Sequence, residues 1–188
     1  MSTTKPLDGI KVIEISTIIT ASLSAMMLSD QGAEVIKIEQ TGFGDPLRYL
    51  GTQKGGISAI FANTNRGKKS IELDLKTESD LEQAKKLISE ADVLINNFRP
   101  GVMDSLGLGK EDCKTLNKNL IYVAITGFGK EGPYANAPAY DHVVQAMSGS
   151  TAIQADEDKP KYIKTLLCDK ITAYTAVSYT HLTLPTNA

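Results

Sequence analysis

Tryptophan is absent from the 188 residues, and cysteine and histidine occur only twice each. Cys113 and Cys168 cannot build a disulfide framework, and with His142 and His181 they fall at no metal-ligand spacing. No metal site is therefore expected. Long apolar runs are missing too: nothing approaches the roughly 20 residues that cross a bilayer, and the opening MSTTKPLDGIKVIEIS lacks the basic-then-apolar order of a secretory leader. Nor is there an excess of one charge. Lys and Arg number 20 against 22 Asp and Glu, so no overall field draws nucleic acid or anionic lipid. These absences point to a cytoplasmic protein in a thiol-reducing compartment, whose partner is a small molecule, with no nucleic acid and no membrane involved.

What is present is an ordinary globular balance, 41% hydrophobic and 22% charged, long enough for one domain with a substantial core. KVIEIS (11–16) is a β-branched run, SLSAMMLSDQG has apolar residues at helical spacing with a Gln31-Gly32 stop, and AEVIKIEQ (33–40) suits a second strand. KKSIELDLK (68–76) alternates apolar and polar residues, and Thr77 with Asp80 resembles a capping box opening a helix. ADVLINNF, KEDCKTLNKN and LIYVAITGFG (120–129) read as strand, helix and strand, and DEDKP (156–160) as a solvated turn. Strands and helices alternating at this spacing predict an α/β fold with a doubly wound parallel sheet. Ligands of such sheets sit beyond the carboxyl ends of the strands, which singles out the loops after Ser16, Glu39, Leu75, Asn96 and Thr126.

One more absence narrows the ligand. Glu39 ends the second strand, where an acid can bind ribose, but the first turn reads STIITASLSAMM and contains no glycine. A pyrophosphate cradle needs glycine there so that backbone N–H groups can approach it, and a nicotinamide or flavin dinucleotide site is excluded on that ground.

Several ordered motifs carry a more specific signal: PLDGIKVIEIS, GAEVIKIEQTGFGDPLR, NRGKKSIELDLK, ADVLINNFRPG followed by LGLG, LIYVAITGFGKEGPYANAPAYD and QAMSG. Together they resemble the class III CoA-transferases, the family of formyl-CoA and carnitine CoA-transferases, over most of the chain. The resemblance implies the Rossmann-like large domain of such an enzyme, truncated, with CoA moving from an acyl-CoA donor to a carboxylic acid acceptor. Its nucleophile is an aspartate downstream of QAMSG, a place filled here by Asp169. On residue pattern alone Asp169 reads as a helix cap before KITAYTA. Coenzyme A and acyl-CoA are implied as substrates, with no permanently bound cofactor. The implied CoA contacts are Leu73, Asp74, Leu75 and Lys76, then Asn97, Phe98 and Arg99, then Pro138, Ala139, Tyr140 and Asp141. Phe98 reads equally as core, and the basic run Asn65-Arg66-Gly67-Lys68-Lys69 as a solvated turn or a phosphate neighbour. Gln40 and Ser105 stand where some relatives have CoA-binding arginines.

The resemblance also implies an interlocked homodimer of a longer parent chain. Residues 1–176 are expected to be its N-terminal part, and VSYTHLTLPTNA (177–188) an adapter-derived tail foreign to it, or else a short edge strand. The polypeptide alone is expected to turn over little or nothing. Two alternatives stand beside transferase: an acyl-CoA racemase of the same superfamily, and a non-catalytic CoA-binding module. Racemase is disfavoured because Tyr140 stands where those enzymes carry a histidine base, and a phenol is a poor base at neutral pH.

Overall fold

The computed structural model describes residues 5–156 and 159–184. The DEDKP turn therefore lies partly outside the described residues, as do residues 185–188 of the tail. Five parallel strands form the main sheet: β1 (Lys11–Ile15), β2 (Glu34–Glu39), β5 (Lys69–Glu72), β6 (Val93–Asn96) and β7 (Ile121–Ala124), in the order β5-β2-β1-β6-β7. A separate two-stranded hairpin, β3 (Gln53–Lys54) and β4 (Ile57–Ser58), follows a short 3₁₀ turn at Pro46–Tyr49. The helices are α1 (Thr20–Asp30), α2 (Ala59–Asn65), α3 (Glu78–Ser89), α4 (Val102–Ser105), α5 (Lys110–Leu116), α6 (Asp141–Met147), α7 (Ser150–Ile153) and α8 (Leu167–Thr183).

β1 and β6 are buried on both faces, as central strands of a parallel sheet must be when helices cover each side. Alternation sorts their side chains. Ile13, Ile15 and Leu94 pack with Ala84 and Ile88 of α3 and Cys113 of α5. Val12, Val93 and Ile95 face the other way, toward Ala21, Ala25 and Leu28 of α1 and Val177 of α8. The expected doubly wound α/β sheet is thus present, with helices on both faces.

Local expectations fare unevenly. The capping box at Thr77 does not form: the Thr77 hydroxyl donates to the Asp74 carbonyl, and Asp80 accepts the Asp74 N–H, so the two side chains brace the preceding turn instead. β5 stops at Glu72, leaving Leu73–Lys76 in the loop beyond it. The described part of the tail is not an edge strand. α8 continues through Ala176 to Thr183, burying Val177 and Thr180, because those positions lie on the stripe that faces α1 and the sheet. The basic run is corrected as well: Arg66 pairs with Asp30 and Lys69 with Glu34, whereas the Lys68 side chain is buried against Glu14, 2.7 Å away.

Candidate active site

The strand order reverses between β1 and β6, so the loops leaving these two strands diverge and open a crevice. The loop after β1 is held from both sides. Asn97 accepts the Thr17 N–H (3.1 Å) and donates to the Thr17 carbonyl (2.7 Å), while Asp45 Oδ1 accepts the Ile18 N–H (3.1 Å). Ile18 has φ 65°, a left-handed conformation costly for a β-branched residue and sustained only where neighbours impose it.

The anchor beneath Asp45 is a buried charge cluster. Lys37 Nζ lies 2.9 Å from Asp45 Oδ2 and 2.5 Å from Glu14 Oε1, and Lys68 meets Glu14 Oε2. Burial alone would raise the Glu14 pKa, but the two ammonium groups outweigh it and hold the carboxyl at about 2. Burial also pushes Lys37 down, and Glu14 with Asp45 more than reverses that, leaving it above its ordinary value. Lys68 has only one close carboxylate and a neighbouring cation, so burial wins and its pKa falls to about 8. Glu39 is occupied by Arg48 through two hydrogen bonds of 2.8 and 2.6 Å. The acid placed to grip a ribose is therefore already paired.

The second wall of the crevice is the start of α8. Asp169 sits in its first turn, not at its N-cap, which is Leu166 and provides no side-chain cap. The capping role falls to Asp141, whose Oδ1 accepts the Asp169 N–H at 3.0 Å from the first turn of α6. Gln145, fully buried, donates to Asp141 Oδ2 (2.6 Å) and accepts the Ile163 N–H (2.9 Å). The backbone of Asp169 is thereby fixed, and its side chain is left to the cleft. There Thr20 Oγ1 donates to Asp169 Oδ1 at 3.2 Å. Burial raises the Asp169 pKa above its usual range; the Thr20 hydroxyl and His142 work against that rise, and Asp141 adds to it.

Asp169 lines a cleft of ≈340 Å³ together with Asn97, Phe98, Arg99, Pro138, Ala139 and Tyr140. A second hollow of ≈360 Å³ is walled by Gln40 and by Leu73, Asp74, Leu75 and Lys76. Thr17 and Phe98 border both hollows, so Phe98 divides them while also packing on the core. The expected site residues thus fall into two adjoining groups at the carboxyl ends of the strands. Asp141 lines neither hollow, since its carboxylate is engaged beneath Asp169. Gly127 has a steric reason to be glycine: an added Cβ would meet that of Ala139 at 1.9 Å, so the cleft wall could not close. Ser105 is exposed on α4 and bonds its own helix, and His142 stacks edge-on with Tyr162 at 5.3 Å. Among the described residues no group of three or more His, Cys, Asp or Glu could hold a metal, and no helix is long and apolar enough to cross a membrane.

Sequence reasoning missed Thr17, Ile18, Thr20 and Gln145. No local signal marks them, because each matters through a partner distant in the chain. Chemically, the cleft presents a partly desolvated carboxylate with one oxygen hydrogen-bonded, which suits nucleophilic attack on an acyl carbon. Arg99 and Lys76 are exposed at the rims and, among the described residues, form no ion pair, so both can meet an anion.

Comparison with known proteins bears directly on this arrangement. The family model for CoA-transferase family III matches residues 7–186. Acetyl-CoA:oxalate CoA-transferase of Acetobacter aceti is 44% identical over 155 residues, covering 82% of this chain and 40% of that protein. Succinate–glutarate CoA-transferase of Agrobacterium fabrum is 39% identical over 181 residues, covering 92% and 45% respectively. The crystal structure of a CaiB/BaiF family protein from Brucella suis superposes with a TM-score of 0.91 at 37% identity, covering 96% of this chain and 49% of that one. The chain spans less than half the length of these two curated relatives.

Proposed function

The chain belongs to CoA-transferase family III, and on that premise we propose that its full-length protein moves coenzyme A from an acyl-CoA to a small carboxylic acid through covalent intermediates on Asp169. Residues 1–176 are read as the N-terminal part of that enzyme, so turnover is expected of the full-length homodimer and not of this polypeptide alone. The observation that carries the reading is the position of Asp169, fixed through its N–H by Asp141 and facing a cleft bordered by Asn97, Phe98 and Arg99.

In the proposed reaction the Asp169 carboxylate attacks the thioester carbonyl, the C–S bond breaks, and CoA thiolate leaves a mixed anhydride. Thiolate then attacks the aspartyl carbon, the donor acid departs, and an aspartyl–CoA thioester remains. The acceptor carboxylate repeats the sequence in reverse. Thioester energy is conserved only if water is kept from the anhydride, and the partly buried setting of Asp169 serves that need. Arg99 and Lys76 supply charge for the CoA phosphates, and Phe98 an apolar surface between the two hollows. The relatives named above are CoA-transferases of oxalate and of succinate and glutarate, which supports a short dicarboxylate as the acceptor class. Proton abstraction beside the thioester has less support, since Tyr140 replaces the racemase histidine and His142 is stacked on Tyr162.

The test is exchange of CoA between an acyl-CoA and a dicarboxylate, catalysed by the full-length protein and by its Asp169→Asn variant. Loss of at least a thousandfold in the variant is expected for removal of a nucleophile. Undiminished exchange would refute the reading, and solvent exchange of the α-proton without CoA transfer would favour the racemase.

A further inference from the structure

We infer that the Thr20 hydroxyl takes part in the acyl transfers, as the donor that holds the carbonyl oxygen of acylated Asp169. This rests on Asp169 being the nucleophile. Thr20 lies in the stretch between the first two motifs quoted above, where the first turn has no glycine. It opens α1, lines the cleft, and places Oγ1 3.2 Å from Asp169 Oδ1. Among the described residues it is the one side chain that donates to this carboxylate; Oδ2 has no such donor.

That asymmetry assigns the two oxygens. Oδ2 is the atom that attacks the donor thioester carbon, forming the O–C bond as the C–S bond breaks and thiolate departs. Oδ1 thereby becomes the aspartyl carbonyl oxygen of the anhydride. When CoA thiolate adds to Cγ, the carbonyl electron pair moves onto Oδ1, where the Thr20 hydroxyl already points. Collapse restores the Cγ=Oδ1 bond, breaks Cγ–Oδ2, and releases the donor carboxylate carrying the former Oδ2. Attack of the acceptor carboxylate on the aspartyl thioester passes charge through Oδ1 again. A single hydroxyl thus serves both additions at Cγ without moving, the condition under which a preorganised donor lowers a barrier.

The test uses Thr20→Val, which keeps shape and loses the hydroxyl, and Thr20→Ser, which restores it, both in the full-length protein. Loss of one oxyanion donor in a dry site costs about 10²–10³ in turnover; at 3.2 Å and in a partly open cleft, about 10- to 100-fold is expected for Thr20→Val, with KM for acyl-CoA little changed. Thr20→Ser should keep most of the rate. A pH profile separates this from a packing defect. The groups facing Asp169 are Asp141 and His142 on α6, Arg99 and Tyr140 on the cleft wall, and Cys168 on α8. Thr20 lowers the Asp169 pKa, so its loss raises that pKa and moves the acid limb of kcat/KM to higher pH in the valine variant, but not in the serine variant. A valine variant with wild-type rate and profile, or equal damage from both substitutions with an unmoved acid limb, overturns the inference while leaving Asp169 its role. Full activity of Asp169→Asn would overturn both.

Discussion

Replacing Lys37 by Met tests whether buried charge holds the loop after β1. Lys37 is 1% exposed and bridges Glu14 and Asp45 at 2.5 and 2.9 Å. Methionine matches its length and apolar stem, so the change removes charge and little volume. Glu14 keeps its ion pair with Lys68, whereas Asp45, among the described residues, keeps no ion pair but has the N–H donors of Ile18 and Leu47 and a more distant attraction to Lys68 and Arg48. Removing one partner of a buried pair costs about 3–5 kcal/mol, because the remaining charge is stranded. Against a total stability of roughly 5–15 kcal/mol that is a large fraction. With a urea m-value of about 1–3 kcal/mol/M, the unfolding midpoint should fall by about 1–5 M, measured by circular dichroism. Adding Asp45→Asn removes the stranded charge while its side-chain oxygen still accepts from Ile18, so the double variant should regain a substantial part of the loss. The reasoning fails if the single variant unfolds within about 0.5 M of wild type, or if the second substitution deepens the loss additively.

Two further outcomes follow from the same contacts. Glu14 and Glu39 are both held at about 2, below the ordinary 4.5, so each contributes stability that is present above the unfolded value and lost as pH falls toward the folded one. Urea midpoints should therefore be flat from neutrality to about pH 5 and drop steeply below it, and a flat profile down to about pH 3 would contradict this. Gln145→Leu strands the Ile163 N–H and Asp141 Oδ2; at about 1–3 kcal/mol for each unsatisfied buried group, destabilisation of roughly 2–6 kcal/mol is expected in thermal unfolding, with loss of CoA exchange in the folded fraction as the Asp169 support loosens.

Much of the scaffold was legible because it depends on local pattern. The β-branched run at 11–16 and the apolar spacing after Ser22 each specify an element without help from elsewhere, and β1 and α1 lie there. Strand ends were read too far. Leu73 and Leu75 continue the alternation of β5, but that strand pairs only with β2, whose own pairing stops at Glu39. The hairpin β3–β4, two residues on each side, is too short to leave a periodic signal. Lys68 shows the deeper limit. Within Asn65–Lys69 it looks like one more surface cation, and only the burial of Glu14 on a strand more than 50 positions away converts it into a buried ion pair. The same holds at the site. Asp169 could be singled out by family resemblance, but its donor Thr20 is 149 positions away and its backbone acceptor Asp141 is 28 positions away, distances that no local pattern encodes.

The most direct measurement follows an oxygen atom. The full-length protein is turned over with acyl-CoA and a dicarboxylate labelled with heavy oxygen in its carboxylates, digested, and the peptide bearing Asp169 is weighed by mass spectrometry. If the acceptor carboxylate adds to an aspartyl–CoA thioester, one labelled oxygen must stay on Asp169 after the acyl group leaves, and that peptide alone gains it. A peptide that remains unlabelled through many turnovers of active enzyme would mean that CoA is transferred without a covalent bond to Asp169.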